Sequence, residues 1–124
     1  MVTKNGKPWF CFGVMGGDFQ PQGHVQVLVD LIDFDLDVQA AGDEARVTHS
    51  GSQTPTGHPM DPQGGKVSVE SGIPLETMKE LQRRGHHVER GFNGGGYQGI
   101  RIDQEHGTLA GGTEPRKDGA TVGY

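Results

Sequence analysis

The chain has 124 residues, a net charge of −5 and an apolar content of 31%, with 22 glycines. That length holds one domain at most, and folding would withdraw roughly two-thirds of the chain's surface from water, enough for one modest core. The charge is too small for disorder throughout, the glycines lack the three-residue period of collagen, and no apolar run approaches the ~18–20 residues of a membrane span.

Further bounds follow from the same composition. An acidic balance with no basic stripe argues against a nucleic-acid partner. Cys11 stands alone, so no intrachain disulfide and no oxidising compartment are implied. No apolar N-terminal signal region is present. Glycine has replaced apolar residues, which raises the entropy lost on folding and contributes no packing. Three readings remain: a loop-rich or partly disordered chain, a sheet protein with many tight turns and close backbone approaches, or a piece of something larger.

In chain order, Asn5-Gly6 favours a two-residue hairpin turn, and Pro8 to Val14 reads as a buried strand holding Trp9 and Cys11 in the core. Only Met1, Val2 and Thr3 stand before Lys4-Asn5-Gly6-Lys7, so the hairpin is expected to be cut open at its first arm. After Gly16-Gly17 a helix is expected from Gln22 or Gly23, with Val25, Leu28, Val29 and Ile32 as its apolar stripe. Asp37 can cap a second short helix through Val38 and Ala41 toward Asp43. Residues 50–65, rich in proline and glycine, read as an exposed loop between short strands at Arg46–His49 and Lys66–Glu70.

Pro74 suits the first turn of a third helix, whose apolar face is Leu75, Met78 and Leu81. Arg83 and Arg84 suit its C-terminal end, with Gly85 as terminator. A strand around His87-Val88-Glu89 follows, then the run Gly94 to Gly96. Tyr97–Ile102 and Thr108–Gly112 form a hairpin about a turn at Asp103 to Gly107, and a polar tail runs from Thr113 to Tyr124. The order of elements implies an α/β or α+β layered domain.

Gly16-Gly17, between a strand and an amphipathic helix, is the most chemical feature. Adjacent glycine N–H groups can approach a ligand closely and form an anion nest or an oxyanion hole, although a plain strand-to-helix turn needs glycine too. No Gly-Lys-Ser/Thr follows, and the spacing of Gly13, Gly16 and Gly17 is not that of a dinucleotide fingerprint. His24, His49, His58 and His106 are scattered, and His86-His87 would point to opposite faces of a strand, so surface or hydrogen-bonding roles are expected rather than metal ligation. Asp30, Asp33, Asp35 and Asp37 read as a solvated helix face plus a cap. Removing Met1 would expose Val2, which has no nucleophilic group, and no nucleophile–base pattern is evident.

Several segments occur in a telling order: Lys4-Asn5-Gly6-Lys7, Gly16-Gly17-Asp18-Phe19 through Leu28, and Leu31-Ile32-Asp33-Phe34. They are followed by Asp37-Val38-Gln39-Ala40, Glu70-Ser71-Gly72-Ile73-Pro74, Arg84-Gly85-His86, Glu114 to Gly119 and the closing Gly123-Tyr124. Together they resemble the C-terminal part of the small subunit of gamma-glutamyltransferases (gamma-glutamyltranspeptidases). Gln20-Pro21-Gln22-Gly23-His24 is similar to the transferase-like hydrolases and acylases more than to the glutathione-degrading type, and Val14-Met15 replaces the Ser/Thr-Pro often found before the paired glycines.

The resemblance implies part of a four-layer αββα sandwich of an N-terminal-nucleophile hydrolase. In such an enzyme an N-terminal Thr, freed by self-cleavage, attacks a gamma-glutamyl amide and passes the acyl group to water or an amine. It also implies that Gly16 and Gly17 supply the oxyanion-hole N–H groups, and that no metal or cofactor is involved. The nucleophile, the Arg that holds the substrate carboxylate and the Ser pair that binds the gamma-glutamyl group would come from the remainder of a parent enzyme, its large subunit and the N-terminal part of its small subunit. Residues 1–124 are then one C-terminal segment, inactive alone. The alternative expectation is a non-catalytic remnant or a self-associating interaction domain, with an open sheet edge as the pairing surface.

Overall fold

The computed structural model describes residues 1–52, 57, 59, 61–62, 64–92 and 94–123. His58, Met60, Tyr124 and much of the loop expected over 50–65 lie outside the described residues. Chain contacts divide the protein into two compact units, one built from Met1–Glu44 with Gly95–Tyr124 and the other from Ala45–Gly94. No helix of the described residues is long and apolar enough to cross a membrane.

The first unit contains a four-stranded antiparallel sheet in the order β1-β2-β6-β7, formed by Val2–Lys4, Lys7–Met15, Gly96–Asp103 and Thr108–Thr113. Asn5 and Gly6 both have positive φ, at 53° and 76°, so the two-residue turn between Lys4 and Lys7 follows the twist of its strands. The first arm pairs over three residues, its register ending with Val2 opposite Phe10. Side chains alternate across β2: Phe10 and Val14 are buried, Phe12 stacks on Phe10 with centroids 4.7 Å apart, and Cys11, Gly13 and Met15 face the other way and are exposed. The expectation of a buried Cys11 is therefore corrected by the strand's period of two. Trp9 is only half-buried, flanked by the Lys4 ammonium at 5.9 Å and the Arg101 guanidinium at 5.4 Å, and is not core.

A 3-10 turn at Gly17–Phe19 leads into α1, Gln20–Ile32, which starts earlier than the apolar stripe predicts. Its buried residues are Gly23, Val27 and Leu31, while Val25, Val29 and Ile32 are exposed. The predicted stripe was thus the wrong one of two overlapping rows. At Gly23 the missing side chain lets the helix approach Val14 and Phe19, and the i, i+4, i+8 row through that glycine turns inward. Asp37 accepts the N–H groups of Gln39 and Ala40 ahead of α2, Ala40–Asp43, as its capping role predicts. This corner is tied to the sheet by the buried Tyr97 hydroxyl, which donates to the Val38 carbonyl at 2.9 Å, and by Gln39, whose amide bonds both main-chain groups of Thr113. Past β7, Arg116 donates to the Gly42 and Glu44 carbonyls at the end of α2 and to the buried Glu114 carboxylate.

The second unit pairs β3, Val47–Ser50, antiparallel with β4, Lys66–Val69, and β4 parallel with β5, Val88–Arg90, through the crossover helix α3, Leu75–Arg83. Val69, Met78 and Val88 form its core, with Val47, Val67, Ile73 and Leu81 packed around them. Leu75 of the expected apolar face is exposed. Beyond α3, Gly85 (φ 93°) donates to the Gln82 carbonyl and His86 to that of Leu81, the paired bonds of a Schellman stop. His86 and His87 precede β5 and are both exposed, so the alternation argument does not apply to them.

Candidate functional site

The end of β2 positions the glycines singled out from sequence. Met15 is the last paired residue, opposite Gly96. Gly16 then takes φ 134° and Gly17 φ 58°, both in the region that L side chains rarely occupy, and both residues are exposed. A Cβ at Gly16 would stand 3.3 Å from the Phe19 ring and 3.5 Å from the Gly95 Cα. Gly95 in turn packs its Cα against the Met15 carbonyl, so a side chain there would collide with main chain. The glycine run before β6 therefore makes room for the end of β2.

Hydrogen bonds fix the turn from inside. The Gly16 carbonyl accepts the Phe19 N–H at 3.2 Å, the Gly17 carbonyl accepts that of Gln20, and Phe19 is buried beneath them. The N–H groups of Gly16 and Gly17 find no acceptor among the described residues. Two adjacent free donors at the start of a helical turn form a concavity suited to a negatively charged oxygen. Beside them an open groove of about 480 Å³ is lined by Phe12 to Met15, Gln20, His24, Gly96 and Gln98.

His24 projects from α1 back to β2, where its Nε2 accepts the Val14 N–H at 3.1 Å and its ring stands edge-on to Phe12 with centroids 5.1 Å apart. The other described histidines lie apart: His49 bonds the Ser52 hydroxyl, and His106 bonds Asp103. Asp33, Asp35 and Asp37 are exposed.

Sequence reasoning missed a buried polar ring in the second unit. There Glu70 accepts the Arg46 N–H at 2.8 Å and the Gly94 N–H at 2.6 Å, while the Arg46 guanidinium donates to the Gly94 carbonyl. Arg46 and Glu70 are 2% and 8% exposed, so the ring satisfies backbone groups at the strand ends and offers no open face for substrate. No periodicity marks such a pair; the one available signal is a charged residue at the outer end of each of two short strands.

The sequence profile described as Gamma-glutamyltranspeptidase matches residues 1–124. The chain belongs to the gamma-glutamyltranspeptidase family. It is 32% identical to the glutathione hydrolase-like YwrD proenzyme of Bacillus subtilis, over 99% of this chain and 23% of that protein. To the glutathione hydrolase proenzyme of Escherichia coli it is 30% identical, over 100% of this chain and 20% of that protein. The chain thus spans about a fifth of the length of these curated relatives. Among solved structures, the cephalosporin acylase from Bacillus halodurans superposes with a TM-score of 0.80 at 40% identity, over 98% of this chain and 22% of that one. A gamma-glutamyltranspeptidase from Pseudomonas nitroreducens gives 0.77 at 26% identity, over 99% and 59% of the two chains. The mixed α+β layering is that of these N-terminal-nucleophile hydrolases.

Proposed function

We propose that this chain is the oxyanion-stabilising part of a gamma-glutamyltranspeptidase-like amide hydrolase, with Gly16 and Gly17 as its catalytic donors. The single observation that carries the reading is the pair of adjacent glycine N–H groups, exposed and without acceptors among the described residues, at the end of β2. A nucleophilic hydroxyl from the rest of the enzyme, the N-terminal Thr of the family, adds to the amide carbonyl of a gamma-glutamyl or related acyl substrate. The carbonyl electron pair moves onto oxygen, and the two N–H groups stabilise that charge. Collapse of the adduct breaks the C–N bond, and the leaving amine takes the proton given up by the hydroxyl. Water or an amine then takes the acyl group in a second addition at the same donors. The names of the relatives, glutathione hydrolase and cephalosporin acylase, support amides of this class as substrates. The partners are then the large subunit and the remaining part of the small subunit.

Proline at Gly16 would remove a donor but also break the turn, because its φ cannot reach 134°. Replacing the amide N–H of Gly16 or Gly17 by an ester oxygen removes only the donor. In the complete enzyme each ester is expected to lower kcat for gamma-glutamyl-p-nitroanilide by about 10²–10³-fold with KM little changed. An ester enzyme that turns over at the parent rate would refute the assignment. The 124-residue chain alone is expected to leave this substrate intact; turnover by the pure chain would move the nucleophile into it.

A second reading, a self-associating module without catalysis, is favoured by the exposed Met15, Ile100 and Leu109, which the register places on one face of the first unit's sheet.

A further inference from the structure

We infer that His24 is a positioning residue for the Gly16–Gly17 turn, acting through the Val14 N–H that its Nε2 accepts at 3.1 Å. The inference rests on the reading of these glycines as oxyanion donors. Its starting point is an unfilled place in the sheet. β2 runs to Met15, but β1 accompanies it only as far as Phe10, so the last residues of β2 have a neighbour on the β6 side alone. The Val14 N–H points away from β6, and among the described residues the imidazole, not a strand carbonyl, meets it.

The contact closes a ten-residue loop from strand to helix, and the glycines lie inside that loop. Two other contacts complete the hold: Phe19 donates to the Gly16 carbonyl, and the Phe19 ring lies under the Gly16 Cα. His24 thus fixes the turn from the strand side while Phe19 fixes it from the helix side. The ring itself is held edge-on by Phe12. Only the neutral tautomer with its proton on Nδ1 leaves Nε2 free to accept. Without the imidazole, the peptide planes after Val14 lose their lateral anchor, and the direction of the next two glycine N–H vectors is no longer set. Donors misplaced by even an ångström stabilise an oxyanion poorly, whereas ground-state binding of substrate is little affected.

The test uses the complete enzyme, with gamma-glutamyl-p-nitroanilide turnover and amide hydrogen exchange of the peptide containing Val14. His24→Ala is expected to lower kcat at least about tenfold with KM nearly constant, and to speed Val14 exchange by a similar factor. His24→Gln, whose amide oxygen reaches about as far as Nε2, is expected to restore both; His24→Asn, which is shorter, is not. Faster exchange with unchanged kcat would overturn the inference, leaving His24 a merely structural contact. Unchanged exchange would overturn it as well. Should His24→Ala not fold, the Gln and Asn enzymes decide: equal kcat in the two overturns the inference, and Gln alone active upholds it. Ester replacement at Gly17 in the same enzyme separates the two readings. A neutral ester refutes the oxyanion role, and Val14 exchange still reports whether His24 holds the strand. A damaging ester beside an unperturbed His24→Ala enzyme refutes only the role of His24.

Discussion

Gly23 shows how much one absent methyl group can decide. A Cβ there would stand 2.7 Å from the Phe19 ring and 2.8 Å from a Val14 methyl, closer than carbon atoms pack. Alanine would gain about 0.5–1 kcal/mol of helix propensity, whereas forcing a methyl into a filled contact loses about 1–3 kcal/mol. The second effect wins, so Gly23→Ala is expected to destabilise the fold by about 1–2 kcal/mol, measured by urea unfolding. A stabilised variant would mean that α1 can slide off β2 freely. The same residue explains a misreading of the sequence. Scoring only apolar side chains selected Val25, Leu28, Val29 and Ile32, because a glycine that seats a helix on a strand looks the same in sequence as one that merely precedes it. Gly16 and Gly17 were legible, since two glycines between a strand and a helix imply an unusual backbone whatever their chemistry. His24 was not, because its partner is a main-chain N–H, which no sequence displays.

Turns and helix ends were the most legible elements, for they depend on local chemistry. Asp37 at its cap, Gly85 at its stop and the Asp103–Gly107 turn all sit where residue type alone directs them. In the last of these, Asp103 accepts the His106 ring N–H and the main-chain N–H groups of His106 and Glu105. The His106 side chain foremost, then those main-chain donors, hold the Asp103 carboxyl below its ordinary range. Lys66 does the same for Glu89, and Arg83 with Arg84 for Glu80. A carboxylate whose folded pKa is depressed adds stability above its unfolded value and loses it as pH falls through the folded one. The β6–β7 hairpin should therefore loosen below about pH 4. Asp103→Asn should flatten that dependence, read as protection of the Arg101 and Ala110 amides, which face each other across the hairpin, between pH 6 and 3. Parallel pH profiles for the two proteins would remove Asp103 from the account. Arg46 and Glu70 stayed hidden because 24 residues separate them and their bonds run through main chain.

For the molecule as a whole, the thin apolar content is divided between two units, and much of it remains in water. Leu109 is 69% exposed, and Val25, Ile32 and Phe34 on and beyond α1 are each more than half exposed. On the sheet, Leu109 shares a face with Met15 and Ile100 that the chain's own residues 117–121 cross in part, and the apolar side chains left exposed there are a site for association. At micromolar concentration the 124-residue chain is expected to sediment as more than a monomer, and Ile100→Lys with Leu109→Lys to return it to one. A strictly monomeric parent chain would count against both the self-associating reading and the importance of this face. Composition pointed to this shortage of core, but it carried no information on where the uncovered surface would lie; strand register supplied that.

The arginine beyond β7 has a consequence for how the first unit comes apart. Arg116 grips two terminal carbonyls of α2 and the buried carboxylate of Glu114, whose own N–H donates to Tyr97 in β6. A tail held this way does not fray independently. Releasing it uncovers a buried anion and leaves the end of a four-residue helix uncapped, so the two segments behave as one cooperative opening unit. The polar end of the sequence, the part least like a core, thereby acts as a latch on a corner more than seventy residues earlier.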